Sequence, residues 1–231
     1  SKWSELSLWN KDFSKKFKIK SVKVADKRPK YKFRYVLQEN KTAPIAILFP
    51  SIEEGIMSDQ SSTFAKKLYE KGYSVLILSS SFNWAFTKSM PEDFRPGLPQ
   101  NDAKFLRITT GDALFYLQKK YNLIPNKKIL IGTSFGALTG LFVAQQETAQ
   151  NTLNISKYIF ICPPIDTLYA LNQADKYSLK LRDIPSFKDD ISTVMQKVAE
   201  VSTFKDQQSL NFTVPFNKNE AQMLIGYTLR Q

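Results

Sequence analysis

A serine between two glycines is the part of the sequence best suited to chemistry. Residues 132–137 read Gly-Thr-Ser-Phe-Gly-Ala, a G-x-S-x-G pattern centred on Ser134. Such a serine can act as a nucleophile when a sharp turn from a strand into a helix raises its side chain above a sheet. The flanking glycines leave room for that turn because they lack a Cβ atom. The N–H group of Phe135, at the start of the following helix, is then placed to stabilise a developing oxyanion.

The elements around this serine alternate between strand and helix. Four short apolar runs have the length and composition of strands buried on both faces, and amphipathic segments lie between them. Strands are predicted over residues 46–49, 73–78, 128–131 and 158–162, and helices over residues 61–71, 102–121 and 137–144. Residues 17–24 and 31–37 predict an antiparallel hairpin before the first buried strand. We therefore expect an α/β domain with a mostly parallel central sheet and helices on both faces.

The pattern changes after Pro163 and Pro164. No strand-like apolar run follows, but three segments have helical character. These predicted helices cover residues 167–181, 189–201 and 219–230. We expect residues 1–165 to form the α/β core and residues 166–231 to form a helical lid over the carboxyl edge of the sheet.

In its context, the serine motif resembles the nucleophile elbow of the α/β-hydrolase superfamily. The resemblance covers residues 15–165: a lead-in hairpin, a strand that carries an oxyanion loop, two strand and helix units, and the serine turn. It implies an acyl-enzyme on Ser134, with the oxyanion held by the N–H groups of Phe135 and of Ser51 or Ile52. The loop at residues 49–59, the serine motif and the Pro-Pro-Ile-Asp segment at residues 163–166 are similar to bacterial hydrolases, some of them associated with the cell envelope. This similarity slightly favours the envelope or periplasm over the cytoplasm.

The absence of histidine departs from the family pattern. In that family an acid and then a histidine follow the serine along the chain, and the histidine is the general base. The chain ends 97 residues after Ser134, and residues 158–162 form only the sixth predicted strand. Either the gene product continues beyond Gln231 and the missing strands carry the acid and the base, or the domain has lost catalysis. We expect the first, because the chain stops within a helical pattern and its sixth strand would otherwise be bare on one side.

Three acidic residues have two interpretations each. Asp166 follows the sixth predicted strand, where some members of the resembled family place the triad acid, but an aspartate before a helix is also a good N-cap. Glu53 and Glu54 could line the substrate pocket or could be solvated loop carboxylates.

In the loop after the second buried strand, Phe82 and the aromatic residues that alternate with it, Trp84 and Phe86, could line an acyl pocket or pack within the loop.

No cofactor and no metal ion are expected. A single cysteine without any histidine cannot form a Cys/His metal site, and the sequence has no glycine-rich phosphate loop. Cys162 lies in an apolar predicted strand, so we expect it to be an inert core thiol.

The net charge of +12 is concentrated near the beginning of the chain. Residues 1–40 hold twelve Lys and Arg residues against four acidic residues, a net charge of +8. This region could bind an anionic membrane surface, or its lysines could simply decorate the solvent faces of strands. Nucleic-acid binding is not expected, since the aromatic residues between the lysines fit strand packing better.

Together these features predict a serine hydrolase or acyltransferase. Its substrate would be a small-molecule or lipid ester or thioester, attacked by Ser134. The alternative is a catalytically inactive protein of the same fold that binds a lipid or a protein partner.

Overall fold

The computed structural model describes residues 11–182, 187–203 and 216–228. The strands are β1 (Lys18–Val22), β2 (Tyr31–Val36), β3 (Ile45–Phe49), β4 (Ser74–Ile77), β5 (Lys128–Thr133) and β6 (Lys157–Ile161). The helices are α1 (Lys11–Ser14), α2 (Asp59–Glu70), α3 (Trp84–Ser89), α4 (Pro99–Tyr121), α5 (Phe135–Gln150), α6 (Thr167–Arg182), α7 (Phe187–Thr203) and α8 (Lys218–Thr228). The predicted strands and long helices are all present, and most of their bounds agree within three residues, but the helix predicted over residues 137–144 extends to Gln150. The last two residues of the helix predicted over 219–230 lie outside the described residues.

The six strands form one mixed sheet in the order β1-β2-β4-β3-β5-β6. β3 pairs in parallel with β4 and β5, and β6 pairs in parallel with β5. β1 and β2 pair antiparallel to each other, and β2 pairs antiparallel to β4. The expected parallel sheet with an antiparallel hairpin leading in is confirmed.

Helices cover both faces of the sheet. Because successive residues of a strand point to opposite faces, the apolar side chains of one strand are buried on both sides. On one face, Ile45, Ile47 and Phe49 of β3 pack in a cluster that includes residues of α4 and α5. On the other face, Ala46 and Leu48 of the same strand pack in a cluster that includes residues of α2. This explains why the apolar run of β3 is continuous rather than alternating.

The segment between β4 and α4 contains a short helix that the sequence did not predict. α3 begins after Asn83, whose side-chain oxygen accepts a hydrogen bond from the N–H of Ala85 at 3.0 Å. The alternation of Phe82, Trp84 and Phe86 is therefore not that of a strand. Phe86 is fully buried, whereas Trp84 is 68% exposed. The sequence predicts only a loop after the second buried strand, because a helix of six residues leaves little periodic signal.

The expectation that Cys162 is a core thiol is wrong. Its side chain is exposed, and its φ of +51° takes the chain out of the strand direction. β6 ends one residue earlier, at Ile161, and is an edge strand with partly exposed side chains. The apolar run that continues into Cys162 thus extends beyond the strand itself.

The chain divides into two compact units between Pro164 and Ile165. The second unit contains α6, α7 and α8, and Val194 and Met223 are buried in a small apolar cluster within it. The role of this unit as a lid stays a prediction. Within the three described ranges, every helix is too short or too polar to span a lipid bilayer.

The basic residues near the beginning of the chain have more than one structural role. Lys18 and Lys20 are exposed on the edge strand β1, where lysines discourage pairing with another sheet. Arg34 is buried: its guanidinium lies 3.7 Å from the ring centre of Phe17 and donates a hydrogen bond to Ser62 Oγ at 2.8 Å. Binding of an anionic membrane surface by this region stays a prediction.

Candidate active site

Ser134 lies at a tight turn between β5 and α5. Its backbone has φ +51° and ψ −119°, which is unusual for a residue with a side chain. The turn is held on both sides: its N–H donates to the carbonyl of Ile161 at 2.9 Å, and its carbonyl accepts from the N–H of Ala137 at 2.9 Å. Backbone strain of this kind persists only where surrounding contacts enforce it, and it is frequent at functional sites.

The two glycines of the motif allow close contacts between backbone segments. A Cβ atom on Gly132 would lie 2.7 Å from Cα of Ala137, in the first turn of α5. A Cβ atom on Gly136 would collide with the carbonyl oxygens of Phe49 and Pro50, at the end of β3. The spacing of the motif therefore brings three backbone segments together: β5, the start of α5 and the loop after β3.

The order of the strands and the position of this turn decide the fold. The sheet runs β1-β2-β4-β3-β5-β6, and the serine follows β5, next to the loop that follows β3. The chain has the α/β-hydrolase fold. The loop after β3 is the predicted oxyanion loop, and Ser134, at the turn after β5, is the predicted nucleophile.

Comparison with solved structures finds distant similarity to several esterases. A bacterial heroin esterase matches 71% of this chain with 49% of its own length, at 16% identity and a TM-score of 0.47. Brefeldin A esterase, a bacterial homologue of human hormone-sensitive lipase, matches 93% of the chain with 51% of its own, at 9% identity and a TM-score of 0.47. The Pyrococcus furiosus esterase Pf2001 matches 88% of the chain with 65% of its own, at 17% identity and a TM-score of 0.48.

These structural similarities are distant. The chain spans about half the length of the first two structures. No protein-family model matches the sequence, and a search of curated proteins finds no match. With TM-scores below 0.5, the assignment rests on the strand order and the serine turn of the chain itself.

The predicted oxyanion donors differ in their surroundings. Phe135 is the first residue of α5, where a backbone N–H has no partner within the helix. The N–H of Ser51 donates to the carboxylate Oε2 of Glu54 at 3.1 Å. Ile52, the alternative to Ser51, has a side chain that is 49% exposed. For Ser51 to hold an oxyanion, the Glu54 carboxylate has to leave its N–H.

A small polar network connects the oxyanion loop with the serine turn. Ser51 Oγ and Thr133 Oγ1 both donate to Gln60 Oε1 at 3.1 Å, and the two hydroxyl oxygens lie 3.3 Å apart. Thr133 directly precedes Ser134. Sequence reasoning missed Gln60, since nothing in a glutamine at the start of a helix indicates a contact with a strand 73 residues away.

Asp166 makes the contact of a helix N-cap. Its Oδ1 accepts the backbone N–H of Tyr169 at 2.8 Å, at the start of α6, and its side chain is exposed. This is the simpler of its two predicted roles. A role as the catalytic acid stays a prediction.

Asp102 is a buried carboxyl group that sequence reasoning also missed. It lies in the first turn of α4 and is 0% exposed. Its Oδ2 accepts hydrogen bonds from Ser81 Oγ and from the N–H of Gly97, both at 3.0 Å. Its Oδ1 is buried without a partner among the described residues. Burial raises the pKa of Asp102, and the bonds from Gly97 and Ser81 oppose that rise.

The site offers little to a metal ion. In the part of the chain that the structure describes, no group of three or more Cys, Asp or Glu side chains could hold one. The serine, the backbone N–H groups and the aromatic rings next to them are suited to a neutral carbonyl compound instead.

A first prediction concerns the close contact at Gly136. We expect Gly136→Ala to lower the free energy of unfolding by about 3 kcal/mol, because the new methyl group would push the serine turn away from the end of β3. Gly111→Ala in α4 is the matched control. Its Cβ would meet only Leu153 Cδ2 at 3.6 Å, so it should stabilise the helix by about 1 kcal/mol. Urea denaturation measures both, and equal effects would contradict the proposed contact.

A second prediction concerns the charge of Asp102. Because its folded pKa is raised, its contribution to stability falls as the pH rises from below the ordinary value of 3.8 through the folded value. Asp102→Asn can keep both hydrogen bonds through its amide oxygen and carries no charge. We expect this variant to be more stable than the parent at pH 7, with the difference disappearing in acid.

The control for this prediction is Asp102→Ala. It loses both hydrogen bonds and should be less stable than the parent at pH 7 by about 2 kcal/mol. Urea denaturation of the three proteins at several pH values measures the effect. If the free energies of unfolding of the parent and of Asp102→Asn had the same pH dependence, Asp102 would not be buried in its charged form.

Proposed function

We propose that the chain is the catalytic scaffold of a serine hydrolase or acyltransferase that acts on an ester or thioester. The observation that carries this proposal is the backbone of Ser134, held at positive φ between β5 and the N-terminus of α5. A structural serine has no need of a strained conformation, whereas a nucleophile gains a hydroxyl group raised beside the first N–H groups of a helix.

The reaction proceeds in two steps. Ser134 Oγ forms a bond to the acyl carbon, the carbonyl electron pair moves to the oxygen, and the collapse of this intermediate expels the alcohol or thiol. The leaving group takes up the proton that the serine released. Water, or an acceptor alcohol, then attacks the acyl-enzyme, the acid or the new ester leaves, and Ser134 regains a proton.

The negative oxygen of the intermediate would be held by backbone donors. Phe135 supplies the first N–H at the start of α5, where the helix dipole also favours negative charge. Ser51 or Ile52 supplies the second. If Ser51 does so, Glu54 moves away when substrate binds, because a carboxylate and an oxyanion cannot share one N–H.

The proton acceptor is not an imidazole of these 231 residues, since the sequence has no histidine. Asp166 remains the candidate acid, as proposed from its position after the sixth strand. The substrate class is a small-molecule or lipid ester, and the activity of the whole protein is part of this proposal.

A second candidate function is binding without catalysis. The contact of Glu54 with the Ser51 N–H favours it, because a negative charge at the oxyanion position opposes formation of the tetrahedral intermediate. In this case the fold would bind a lipid or a protein partner. The reactivity of Ser134 separates the two functions.

A third prediction therefore concerns Ser134 itself. Incubation with a fluorophosphonate should add the mass of one adduct to the parent protein and none to Ser134→Ala, because only an activated serine attacks phosphorus at a useful rate. Ser156→Ala, at the amino end of β6, is the control and should be labelled like the parent. Intact-mass spectrometry gives the result. A parent chain that is not labelled would contradict catalysis by these 231 residues alone and would favour binding as their function.

A fourth prediction concerns Glu54. We expect Glu54→Gln to increase the rate of labelling about tenfold, because an amide oxygen holds the Ser51 N–H less strongly than a carboxylate and leaves no charge beside the oxyanion. Glu53→Gln removes a neighbouring charge and should change the rate less than twofold. A slower rate in Glu54→Gln would show instead that this carboxylate assists Ser134.

A further inference from the structure

Asp102 closes the long segment between β4 and α4, residues 78–98. The same carboxylate oxygen accepts a bond from Ser81, near the beginning of the segment, and from Gly97, near its end. Both bonds are 3.0 Å long, and Ser81 is 1% exposed. One buried side chain therefore fixes both ends of a segment of about twenty residues.

The closed segment also contacts the oxyanion loop. The N–H of Ser80 donates to the carbonyl of Glu54 at 2.9 Å, and Asn83 Nδ2 donates to the carbonyl of Glu53 at 2.9 Å. These bonds set the position of the segment relative to the residues that follow β3. Ser81 and Phe82 lie between Ser80 and Asn83 along the chain.

Phe82 packs on the residue that follows the candidate nucleophile. Its ring centre is 4.9 Å from that of Phe135, and the rings are nearly perpendicular, at 84°. On another side, the ring of Phe82 is 3.4 Å from where a Cβ of Gly97 would lie. An edge-to-face pair is favourable in itself, and the closed segment restricts the ring further.

We propose that Phe82 forms a wall of the acyl pocket beside Ser134 and that Asp102 is the positioning residue that holds this wall in place. The proposal rests on the proposed function and specifies its substrates as esters with short apolar acyl chains. We place the start of the acyl chain against the ring of Phe82, because that ring packs edge-to-face on Phe135, whose N–H is the proposed donor to the carbonyl oxygen.

The size of the effect follows from the hydrophobic cost of a blocked chain. Each methylene of the acyl chain that is not buried against apolar surface lowers the binding constant of the ester about fourfold. Replacing the ring of Phe82 by a methyl group opens space for several methylenes. The preference for a long over a short acyl chain should therefore increase by at least about tenfold.

The experiment uses two alkyl fluorophosphonates, one with a short and one with an eight-carbon chain, and measures the ratio of their labelling rates at Ser134. We expect this ratio to rise at least about tenfold in Phe82→Ala and to a smaller extent in Phe82→Leu. Trp84→Ala, which removes an exposed aromatic ring from the same segment, should leave it unchanged. An unchanged ratio in both Phe82 variants would overturn the proposal.

Two variants test the positioning role of Asp102. Asp102→Ala should raise the same ratio, because Ser81 and Gly97 lose their common acceptor. Asp102→Asn keeps an acceptor oxygen and should restore the ratio of the parent. A merely structural role would change both labelling rates equally, so a constant ratio in Asp102→Ala would overturn this part of the proposal.

A binding measurement keeps the test independent of reactivity. Methyl butanoate and methyl octanoate are added to Ser134→Ala, with and without Phe82→Ala, and binding is followed by ligand-observed NMR. Octanoate binding that improves at least about tenfold with Phe82→Ala supports the pocket even if the parent protein is never labelled, in which case only the proposed catalysis fails. Binding of neither ester, or no gain for octanoate, overturns the pocket.

Discussion

The contact between Gly136 and the end of β3 is the constraint on which the site depends. Two carbonyl oxygens, those of Phe49 and Pro50, lie where a side chain at position 136 would be. This contact brings the first turn of α5 against the loop after β3. It thereby places the Ser134 turn and the oxyanion loop side by side, and the Ser51, Thr133 and Gln60 network forms across the same junction.

The parts of this arrangement that are local in sequence could be predicted from it. The G-x-S-x-G motif predicts the turn because its five residues are adjacent in the sequence, and the run of β3 predicts a strand buried on both faces. The parts that could not be predicted are contacts between distant residues. Asp102 meets Ser81 across 21 positions, and Thr133 meets Gln60 across 73. A polar residue in a helix has the same appearance in the sequence whether its partner is water or another side chain.

Two carboxylates near the site differ in their exposure to solvent and in their hydrogen bonds. Glu54 is partly exposed on a loop and occupies a backbone donor that an oxyanion could use. Asp102 is enclosed and accepts two hydrogen bonds with one oxygen, while its other oxygen is left without a partner among the described residues. A buried carboxyl of this kind is costly compared with a neutral side chain of the same shape. The burial of Asp102 is therefore better explained by its positioning of the segment between β4 and α4 than by a gain in stability.

The bond between the Ser134 N–H and the carbonyl of Ile161 makes the serine turn part of the β5–β6 ladder. Among the described residues β6 is the outermost strand on its side of the sheet, and outer strands open more readily than central ones. Each opening of β6 would release the amide of Ser134 to solvent and leave its strained backbone free to relax. The rate at which that single amide exchanges its hydrogen would therefore report how often the edge of the sheet frays, and how long the serine retains its geometry between such events.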